Sequence, residues 1–391
     1  MMARRSDKMT VLQLVPRLDV GGAERATVDV ACALVAAGHR ALVMSSGGMM
    51  VESLLQGGAE HFDYAIGRRN PWFVWKNRRH LADFIKAENV DLVHARSRAP
   101  AWSAYFATRP SYVPFVTTFH DAYASKTAPK RLYNSVMARG DRVIAISRFV
   151  ARHISAQYRV AEDRIVLIPR GIDFSVFDPA AVTLDLKKRF YDMHALPDNV
   201  PLLIFPARLS FTKGHELALR ALAQLGERPF LCLIIGPVLR QTAYRERLGA
   251  LIQKLHLKDK VRFIDRADLA AAYAVADLVL SPSQKAEGFG RVPVEAQAMG
   301  VPVIATALGG PIETVLEGET GWLVPVGDPP ALADAIARAL SLTPEQRRTM
   351  AERAIEHVRA HFDVKQMCAA TLDLYAGLLR TNSENALRAG R

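Results

Sequence analysis

The chain has 391 residues, and 51 Lys and Arg against 39 Asp and Glu give it a net charge of +12. Half of the residues are hydrophobic, which excludes a disordered chain, and the length predicts two domains because single cores stop growing near ~250–300 residues. The longest apolar runs are strand-sized, far short of the ~18–20 residues of a membrane span. Cys32, Cys232 and Cys368 are far apart, so we expect reduced thiols in the cytoplasm rather than disulfides or a zinc site.

Short apolar runs alternate with longer amphipathic segments along the chain. The first half is predicted to hold strands at Thr10–Val15, Arg40–Ser45, Asp91–His94, Pro114–Thr118 and Arg142–Ile146, with a helix from about Gly22. The segment 174–199 contains two prolines and interrupts this rhythm. Strands are predicted again at Leu202–Pro206, Phe230–Ile235, Val261–Ile264, Leu278–Pro282 and Val301–Ala305, and the tail from Pro344 to Arg380 is predicted to be helical throughout.

A rhythm of strand, helix and strand implies a parallel sheet that is covered on both faces. The sequence therefore predicts an α/β protein with two doubly wound, Rossmann-like domains, one over residues 1–175 and one over residues 176–365. A C-terminal helix over residues 366–391 is expected to pack back on the first domain. Because doubly wound sheets bind ligands at their carboxyl edges, two such sheets facing each other would enclose a site in a central cleft.

The positive charge is concentrated in the first domain. Residues 1–180 hold 25 Lys and Arg against 16 Asp and Glu, whereas residues 181–391 hold 26 against 23. This imbalance suggests that the first domain meets an anionic partner, which could be a membrane surface, an acidic substrate or a nucleic acid. A nucleic-acid-binding protein is the least favoured of these, because the sequence contains no recognition module, aromatic RNA motif or zinc spacing.

Two cations follow the first strand of the second domain. Arg208 and Lys213 lie between the predicted strand Leu202–Pro206 and a helix. A helix N-terminus already favours anions, and two added cations suit a diphosphate that gains negative charge as it departs. By spacing alone, however, two surface cations on a loop are the simpler interpretation.

Two glutamates bracket a glycine turn further along the second domain. Glu287 precedes the run Gly288-Phe289-Gly290, and Glu295 follows on the predicted helix. The glycine amides could approach a ligand closely, and ionised carboxylates suit sugar hydroxyls. A glycosidase pair would also use two carboxyls ~5–10 Å apart, but Arg208 and Lys213 would then have no purpose.

The first domain contributes a glycine loop and a histidine. Gly21 and Gly22 lie between the first strand and the first helix, but the loop lacks both GxGxxG and GxxxxGK[ST]. This argues against a nicotinamide dehydrogenase and a P-loop ATPase. His120 follows the predicted strand Pro114–Thr118 and would point from its carboxyl edge, although an isolated histidine is more often packed or solvated.

Taken together, these segments resemble the family 4 retaining glycosyltransferases of the GT-B fold. The resemblance covers nearly the whole chain in the family's order. It runs through Gly-Gly-Ala-Glu at 21–24, Ile-Pro-Arg-Gly-Ile-Asp at 168–173, Arg208 with Lys213, Glu287 with Glu295, Gly-Val-Pro-Val-Ile-Ala at 300–305, Gly-Gly at 309–310, Glu313 and Gly-Trp-Leu-Val at 321–324. The family often has Asn-Gly where this chain has Arg170-Gly171, so the role of Arg170 is left open.

The resemblance implies a role for each of these residues. Arg208 and Lys213 would grip the diphosphate of a GDP- or UDP-hexose, helped by backbone N–H groups at Gly21 and Gly22. Glu287, with the amides of Gly288, Phe289 and Gly290, would orient the donor sugar, Glu295 would bind the ribose, and His120 would contact the sugar near the reacting carbon. Such enzymes retain the anomeric configuration, use no metal or other cofactor, and let the departing phosphate accept the acceptor's proton.

The acceptor is expected on the first domain, in contact with its cations. Arg96, Arg98, Lys126 and Lys130 fit an anionic glycolipid, and the segments 96–103 and 133–140 look similar to bacterial lipopolysaccharide-core transferases. A second basic segment, capped by Asn70 and Pro71, mixes cations with tryptophans in the composition of an interfacial membrane contact. Its members are Arg68, Arg69, Trp72, Trp75, Lys76 and Arg79. The alternative is a helix with buried tryptophans and solvated arginines.

The sequence thus favours a hexosyltransferase that works at the inner face of the cytoplasmic membrane. A nucleotide-sugar epimerase or hydrolase on the same fold is the enzymatic alternative, and rapid sugar release without an acceptor would favour it. A catalytically inactive scaffold is a further alternative. The presence of Arg208, Lys213, Glu287 and Glu295 argues against it.

Overall fold

The computed structural model describes residues 8–19, 21–123, 127–237 and 242–389. The chain forms two compact units, one made of Met1–Gly171 with Val364–Arg391 and the other of Ile172–Asp363. The chain therefore leaves the first unit at Gly171, where 175 was expected, and re-enters it at Val364, where 366 was expected. Within the described ranges, no helix is long and apolar enough to cross a membrane.

Each unit is built on one parallel sheet. The first sheet contains β1 (Thr10–Leu14), β2 (Arg40–Ser45), β3 (Glu60–Asp63), β4 (Leu92–Ala95), β5 (Phe115–Phe119), β6 (Arg142–Ala145) and β7 (Ile165–Leu167). The second contains β8 (Leu202–Pro206), β9 (Leu231–Ile235), β10 (Val261–Ile264), β11 (Leu278–Ser281), β12 (Val303–Thr306) and β13 (Gly321–Val324). The strand orders are β3-β2-β1-β4-β5-β6-β7 and β10-β9-β8-β11-β12-β13.

Both orders are doubly wound, since each sheet grows outward in two directions from its first strand. The direction reverses between β1 and β4 in the first sheet and between β8 and β11 in the second. Open α/β sheets bind ligands where the order reverses, because the loops after those two strands diverge and leave a crevice. The two loops that matter most in each unit are therefore those that follow these central strands.

Helices flank the sheets and connect the strands. Before the crossing into the second unit they are α1 (Gly22–Ala36), α2 (Val51–Gln56), α3 (Pro71–Ala87), α4 (Arg98–Thr108), α5 (Ala128–Ser135) and α6 (Arg148–Tyr158). In the second unit they are α7 (Leu184–His194), α8 (His215–Ala223), α9 (Thr242–Lys254), α10 (Leu269–Val275), α11 (Arg291–Ala298), α12 (Pro311–Thr314), α13 (Pro329–Leu340) and α14 (Pro344–His361). The last helix is α15 (Val364–Ala389), and short 3-10 turns lie at Val136–Ala138, Glu162–Arg164, Pro179–Ala181 and Phe211–Lys213.

The C-terminal tail is helical as predicted, but it is interrupted at residues 362–363 and so divides into α14 and α15. At the break, the Ile172 N–H donates to the Phe362 carbonyl over 2.7 Å, and Ile172 pairs with Asp363 in a parallel bridge. The backbone groups at the break thus bond to the residue that begins the second unit, and so they are not available to a continuous helix.

The last helix completes the core of the first unit. Met367, Cys368 and Tyr375 of α15 are buried in one apolar cluster with residues of β1 and α1. His94 of β4 is also buried, and its ring nitrogens lie 2.5 Å from the Tyr375 hydroxyl and 2.7 Å from the Thr118 hydroxyl. Burial lowers the pKa of His94 well below its usual range, so its ring is neutral and needs both partners.

We expect substitutions at Tyr375 to weaken the first unit in two steps. Tyr375→Phe leaves one nitrogen of His94 unpaired and should cost about 1–3 kcal/mol in the free energy of unfolding. Tyr375→Ala also creates a cavity and should cost about 3–5 kcal/mol. Amide hydrogen exchange of β1 and β4 measures both losses of stability. The control is Asp373→Ala, at an exposed position of the same helix, which should leave the exchange unchanged. Unchanged protection in Tyr375→Ala would show that α15 is not part of this core.

Candidate functional site

The loop after β8 holds the two cations of the second unit in different environments. Arg208 is exposed, and no described residue forms an ion pair with its guanidinium. Lys213 ends the 3-10 turn and is followed by Gly214 at φ +82, a conformation that favours glycine. A Cβ on Gly214 would collide with the carbonyl oxygen of Pro282, just after β11. Glycine at this position therefore lets the β8 loop pack against the β11 loop.

This packing brings Lys213 to Glu287, which lies 74 positions away in the chain. The Lys213 Nζ lies 2.7 Å from Oε1 of Glu287, and both side chains are about three-quarters buried, at 25% and 21% exposure. The Ser283 hydroxyl donates to the same carboxylate oxygen. A cation and an anion thus lie together at the reversal point of the second sheet, where the fold expects a ligand.

The backbone of Glu287 is held by two consecutive glycines, Gly309 and Gly310. Glu287 forms a parallel bridge with Gly309, and the Gly310 N–H donates to the Glu287 carbonyl over 2.8 Å. A Cβ on Gly309 would lie 2.5 Å from that carbonyl oxygen, and one on Gly310 would collide with the backbone of Phe289. Close backbone approach therefore explains why two glycines follow β12.

The turn after Glu287 starts helix α11. Gly290 has φ +83 and caps the helix, and Phe289 is buried with its ring centroid 5.5 Å from that of Phe362. The Phe289 side chain therefore faces the interior, so only its backbone amide, with that of Gly288, could face a ligand. This is compatible with the role predicted for the segment, which assigned the contact to backbone N–H groups.

Glu295 has partners within the protein that the sequence did not reveal. Its carboxylate is almost fully buried; Arg291 donates to one oxygen over 2.8 Å and the Tyr273 hydroxyl to the other over 3.0 Å. Burial and the neighbouring Glu295 raise the pKa of Tyr273 well above its usual range, so the hydroxyl remains a donor. Arg291 could have been found from its i,i+4 spacing, but Tyr273 lies on another helix and gave no signal.

In the first unit, Gly21 and Gly22 lie at the N-terminus of α1, as predicted. Gly21 is extended and caps the helix without any side-chain hydrogen bond, and Gly22 is its first residue. A Cβ on Gly21 would collide with the carboxylate of Glu24. The first amides of this 15-residue helix lie after β1, at the reversal point of the first sheet.

His120 follows β5, and Arg170 turns out to be its partner. The Arg170 Nη2 donates to Nδ1 of His120 over 2.9 Å. Because a guanidinium can only donate, Nδ1 must accept, and in the neutral ring the proton lies on Nε2. That Nε2 is buried and has no hydrogen-bond partner among the described residues. Burial, then the charges of Arg170 and Arg96 and the neighbouring His94, lower the pKa of His120 well below its usual range.

The four cations predicted to bind an acceptor differ in their surroundings. Arg96 is buried, and its Nε and Nη2 donate to Oε1 of Gln13 over 2.8 and 2.6 Å, so it is not offered at the surface as expected. Arg98 is half-buried, donates to Asn134 over 3.0 Å and lies 4.5 Å from the centre of the Tyr123 ring. Lys130 is exposed on α5, and Lys126 lies outside the described residues.

The basic and aromatic segment forms the start of α3, with the cap that the sequence predicted. Asn70 accepts a hydrogen bond from the Trp72 N–H over 2.9 Å, and Pro71 is the first helical residue. The tryptophans do not pack inside, because Trp72 is 63% exposed and Trp75 is 44% exposed. The side chains of Arg68, Arg69, Lys76 and Arg79 are exposed as well, and Arg79 lies 4.9 Å from the centre of the Trp75 ring. This surface therefore combines apolar rings with cations.

Comparison with known proteins gives matches over most of the chain. Residues 20–176 match the family described as Glycosyltransferase Family 4, and residues 187–357 match the family described as Glycosyl transferases group 1. A D-inositol 3-phosphate glycosyltransferase of Xylanimonas cellulosilytica is 32% identical over 306 residues, which are 73% of this chain and 72% of that one.

Two solved structures match nearly all of the chain. The crystal structure of a glycosyltransferase from Rickettsia africae has a TM-score of 0.89 and 36% identity, covering 95% of this chain and 99% of that one. Anabaena HepE, solved in complex with UDP and glucose, has a TM-score of 0.81 and 24% identity, covering 94% and 99%.

We expect Arg170→Met to raise the pKa of His120. Removing the guanidinium removes a positive charge that disfavours the imidazolium, while burial still holds the pKa below its ordinary value of about 6.5. Because the folded pKa lies below the unfolded one, the stabilisation from neutral His120 is full above about pH 6.5 and is lost as the pH falls. Ring nitrogen chemical shifts against pH measure both the pKa and the tautomer.

The matched control is Lys130→Met, which removes the same charge at an exposed position of α5. This variant should leave the pKa and the tautomer of His120 unchanged. An unaltered His120 titration in Arg170→Met would contradict the assignment of Arg170 as its partner.

Proposed function

This chain belongs to the family 4 glycosyltransferases of the GT-B fold, and we propose that it moves a hexose from a nucleoside-diphosphate sugar to an anionic acceptor of the cell envelope. The observation that carries the proposal is the contact of Lys213 with Glu287 at the reversal point of the second sheet. A diphosphate needs cations and a sugar needs hydroxyl acceptors, and this contact supplies one of each.

In the proposed donor site, the diphosphate lies against Arg208 and Lys213. When the phosphate takes Lys213 as its partner, the Glu287 carboxylate is released to accept hydrogen bonds from the sugar hydroxyls. The backbone amides of Gly288, Phe289 and Gly290 complete the contact, and the spare lone pairs of Glu295 accept from the ribose. On the first unit, Gly21 and Gly22 offer N–H groups at the start of α1, a place that favours phosphates. The UDP complex of HepE is consistent with a uridine donor, and a guanosine donor remains the alternative.

In the proposed reaction, the bond between the anomeric carbon and the diphosphate oxygen breaks, and a bond from the acceptor oxygen to the same face of that carbon forms. The acceptor's proton passes to the departing phosphate oxygen, so that the configuration is retained without a separate base. Arg208 and Lys213 neutralise the growing negative charge, which is the work a metal ion would otherwise do. His120 donates from Nε2 to a sugar oxygen near the reacting carbon.

The proposed acceptor carries a phosphate or another anion. Arg98 and Lys130 are the described cations assigned to it, with Lys126 outside the described residues, whereas the buried Arg96 supports the site through Gln13. The acceptor we favour is a lipopolysaccharide core, met at the inner face of the cytoplasmic membrane through the exposed cations and tryptophans of α3. The name of the Xylanimonas relative favours a second acceptor, inositol 3-phosphate, which is also anionic.

We expect Lys213→Ala, Arg208→Ala and Glu287→Gln each to lower kcat/KM for sugar transfer by about 10²–10³-fold, as the loss of one charge-stabilising group does elsewhere. The control is Lys285→Ala, an exposed cation on the same loop as Glu287, which should transfer normally. Turnover near that of the unchanged protein in Lys213→Ala would contradict the proposed donor site. Rapid release of free sugar without an acceptor would instead favour a hydrolase.

Nucleotide binding provides a test that is independent of the acceptor. We expect UDP or GDP to stabilise the protein, by about 2.7 kcal/mol at a hundred times the Kd. Lys213→Ala should lose most of this shift in melting temperature, and Lys285→Ala should keep it. If no nucleoside diphosphate shifts the melting temperature, the proposed donor site is wrong.

A further inference from the structure

A groove opens in the first unit beside helices α3, α4 and α5. Its volume is about 440 Å³, and its lining lies within the first unit and includes no residue of the loops that follow β1 and β4. The residues that line it are Arg69, Pro71, Val74, Trp75, Arg78, Trp102, Phe106, Pro129, Leu132 and Tyr133. Eight of these ten side chains are apolar or aromatic, two are arginines, and none is acidic.

Several apolar side chains of the lining are exposed to solvent. Leu132 is 60% exposed, Trp75 is 44% exposed and Phe106 is 41% exposed, and each comes from a different helix. Single exposed apolar residues are ordinary, but a cluster around one concave surface is typical of a binding site. The cluster therefore calls for an apolar occupant.

The walls of the groove are fixed by contacts behind them. The side chains of Leu81 and Ile85 are buried and anchor the second half of α3, and the Asn70 cap fixes its start. On α4, the indole N–H of Trp102 donates to the carbonyl of Tyr133 over 3.0 Å. Because this N–H is satisfied, Trp102 offers the groove only its apolar ring. The groove thus exists before any ligand arrives.

We propose that this groove holds one hydrocarbon chain of an anionic lipid, with the lipid's phosphate group bound by Arg69 and Arg78. The apolar lining matches the chain, and the two guanidinium groups among that lining match a phosphate, which arginine binds through paired N–H groups. The two guanidinium groups would thus favour an anionic amphiphile over a neutral one. A peptide segment has regularly spaced polar backbone groups, for which this lining offers few partners.

The inference rests on the proposed function and deepens its acceptor half, because a chain bound here would belong to a lipid-linked acceptor. It also differs from simple adsorption to a bilayer. Trp72 is more exposed than Trp75 and stacks on it at 5.5 Å, yet it does not line the groove. Removing Trp72 should therefore weaken contact with a flat membrane while leaving the groove intact.

Chain-length dependence is the first test. Monoalkyl phosphates of six to sixteen carbons, each below its micelle concentration, are titrated while tryptophan fluorescence is followed. We expect affinity to rise roughly fourfold for each added methylene and then to level off once the groove is filled. Inorganic phosphate and alkyltrimethylammonium ions of equal length should bind at least tenfold more weakly. A rise with no plateau, or equal binding of the cationic series, would overturn the proposal.

Substitutions provide the second test. Val74→Trp fills the groove and Leu132→Glu places an anion in it, so each should weaken binding of the longest alkyl phosphate at least tenfold. Leu55→Ser, at an exposed apolar position of α2 outside the lining, is the matched control and should bind within twofold of the unchanged protein. Unaltered binding in Val74→Trp would show that the chain lies elsewhere.

The shift in melting temperature with UDP or GDP separates the two proposals. It should persist in Val74→Trp and Leu132→Glu, and unchanged amide hydrogen exchange of β1 and β4 shows that the first unit of these variants is folded. Alkyl phosphate binding that survives in Lys213→Ala while nucleotide binding is lost would support the groove independently of the donor site. Failure of every alkyl phosphate to bind, with nucleotide binding intact, would refute the groove alone.

Discussion

The contact between Lys213 and Glu287 depends on backbone packing more than on the attraction of two charges. Partly buried ions lose hydration, and their pairing contributes only when their geometry is fixed. Here that geometry comes from Gly214 against Pro282 and from Gly309 against Glu287, where no side chain fits. The loops after β8, β11 and β12 are thereby joined at one edge of the sheet. A ligand with a phosphate and hydroxyls can replace this internal contact by two of its own.

The first unit prepares its histidine through a comparable constraint. Arg170 directs the proton of His120 to Nε2, and burial keeps the ring neutral. The family often has asparagine at this position. Arg170 therefore fixes the tautomer of His120 as well as adding a positive charge. In each unit an internal contact, Lys213 with Glu287 and Arg170 with His120, fixes the orientation of a polar group that can still form a hydrogen bond to a ligand.

Much of the architecture could be predicted because buried parallel strands are short apolar runs, and ten of them stand out in the sequence. β3 was missed because Glu60–Asp63 is polar and only half-buried at an edge, and β7 and β13 because runs of three and four residues give no clear period. The loop motifs were visible because glycine and charged residues cluster after strands. Arg96 and Tyr273 could not be assigned, since burial of the first and the pairing of the second depend on contacts between distant segments.

The second unit begins and ends at the same place, because Ile172 bonds to the backbone of Phe362 and Asp363. It is thus an insertion, and the first unit is discontinuous in the chain. Domains fold from the N-terminus as they are synthesised. Residues of β1 and α1 must therefore wait, with an apolar face uncovered, until the rest of the first segment and all 192 residues of the second unit have been made and Tyr375 emerges. The second unit can therefore fold completely before the first unit does. A truncation near the C-terminus would remove part of α15 and so damage the first unit, although most of that unit is synthesised earlier.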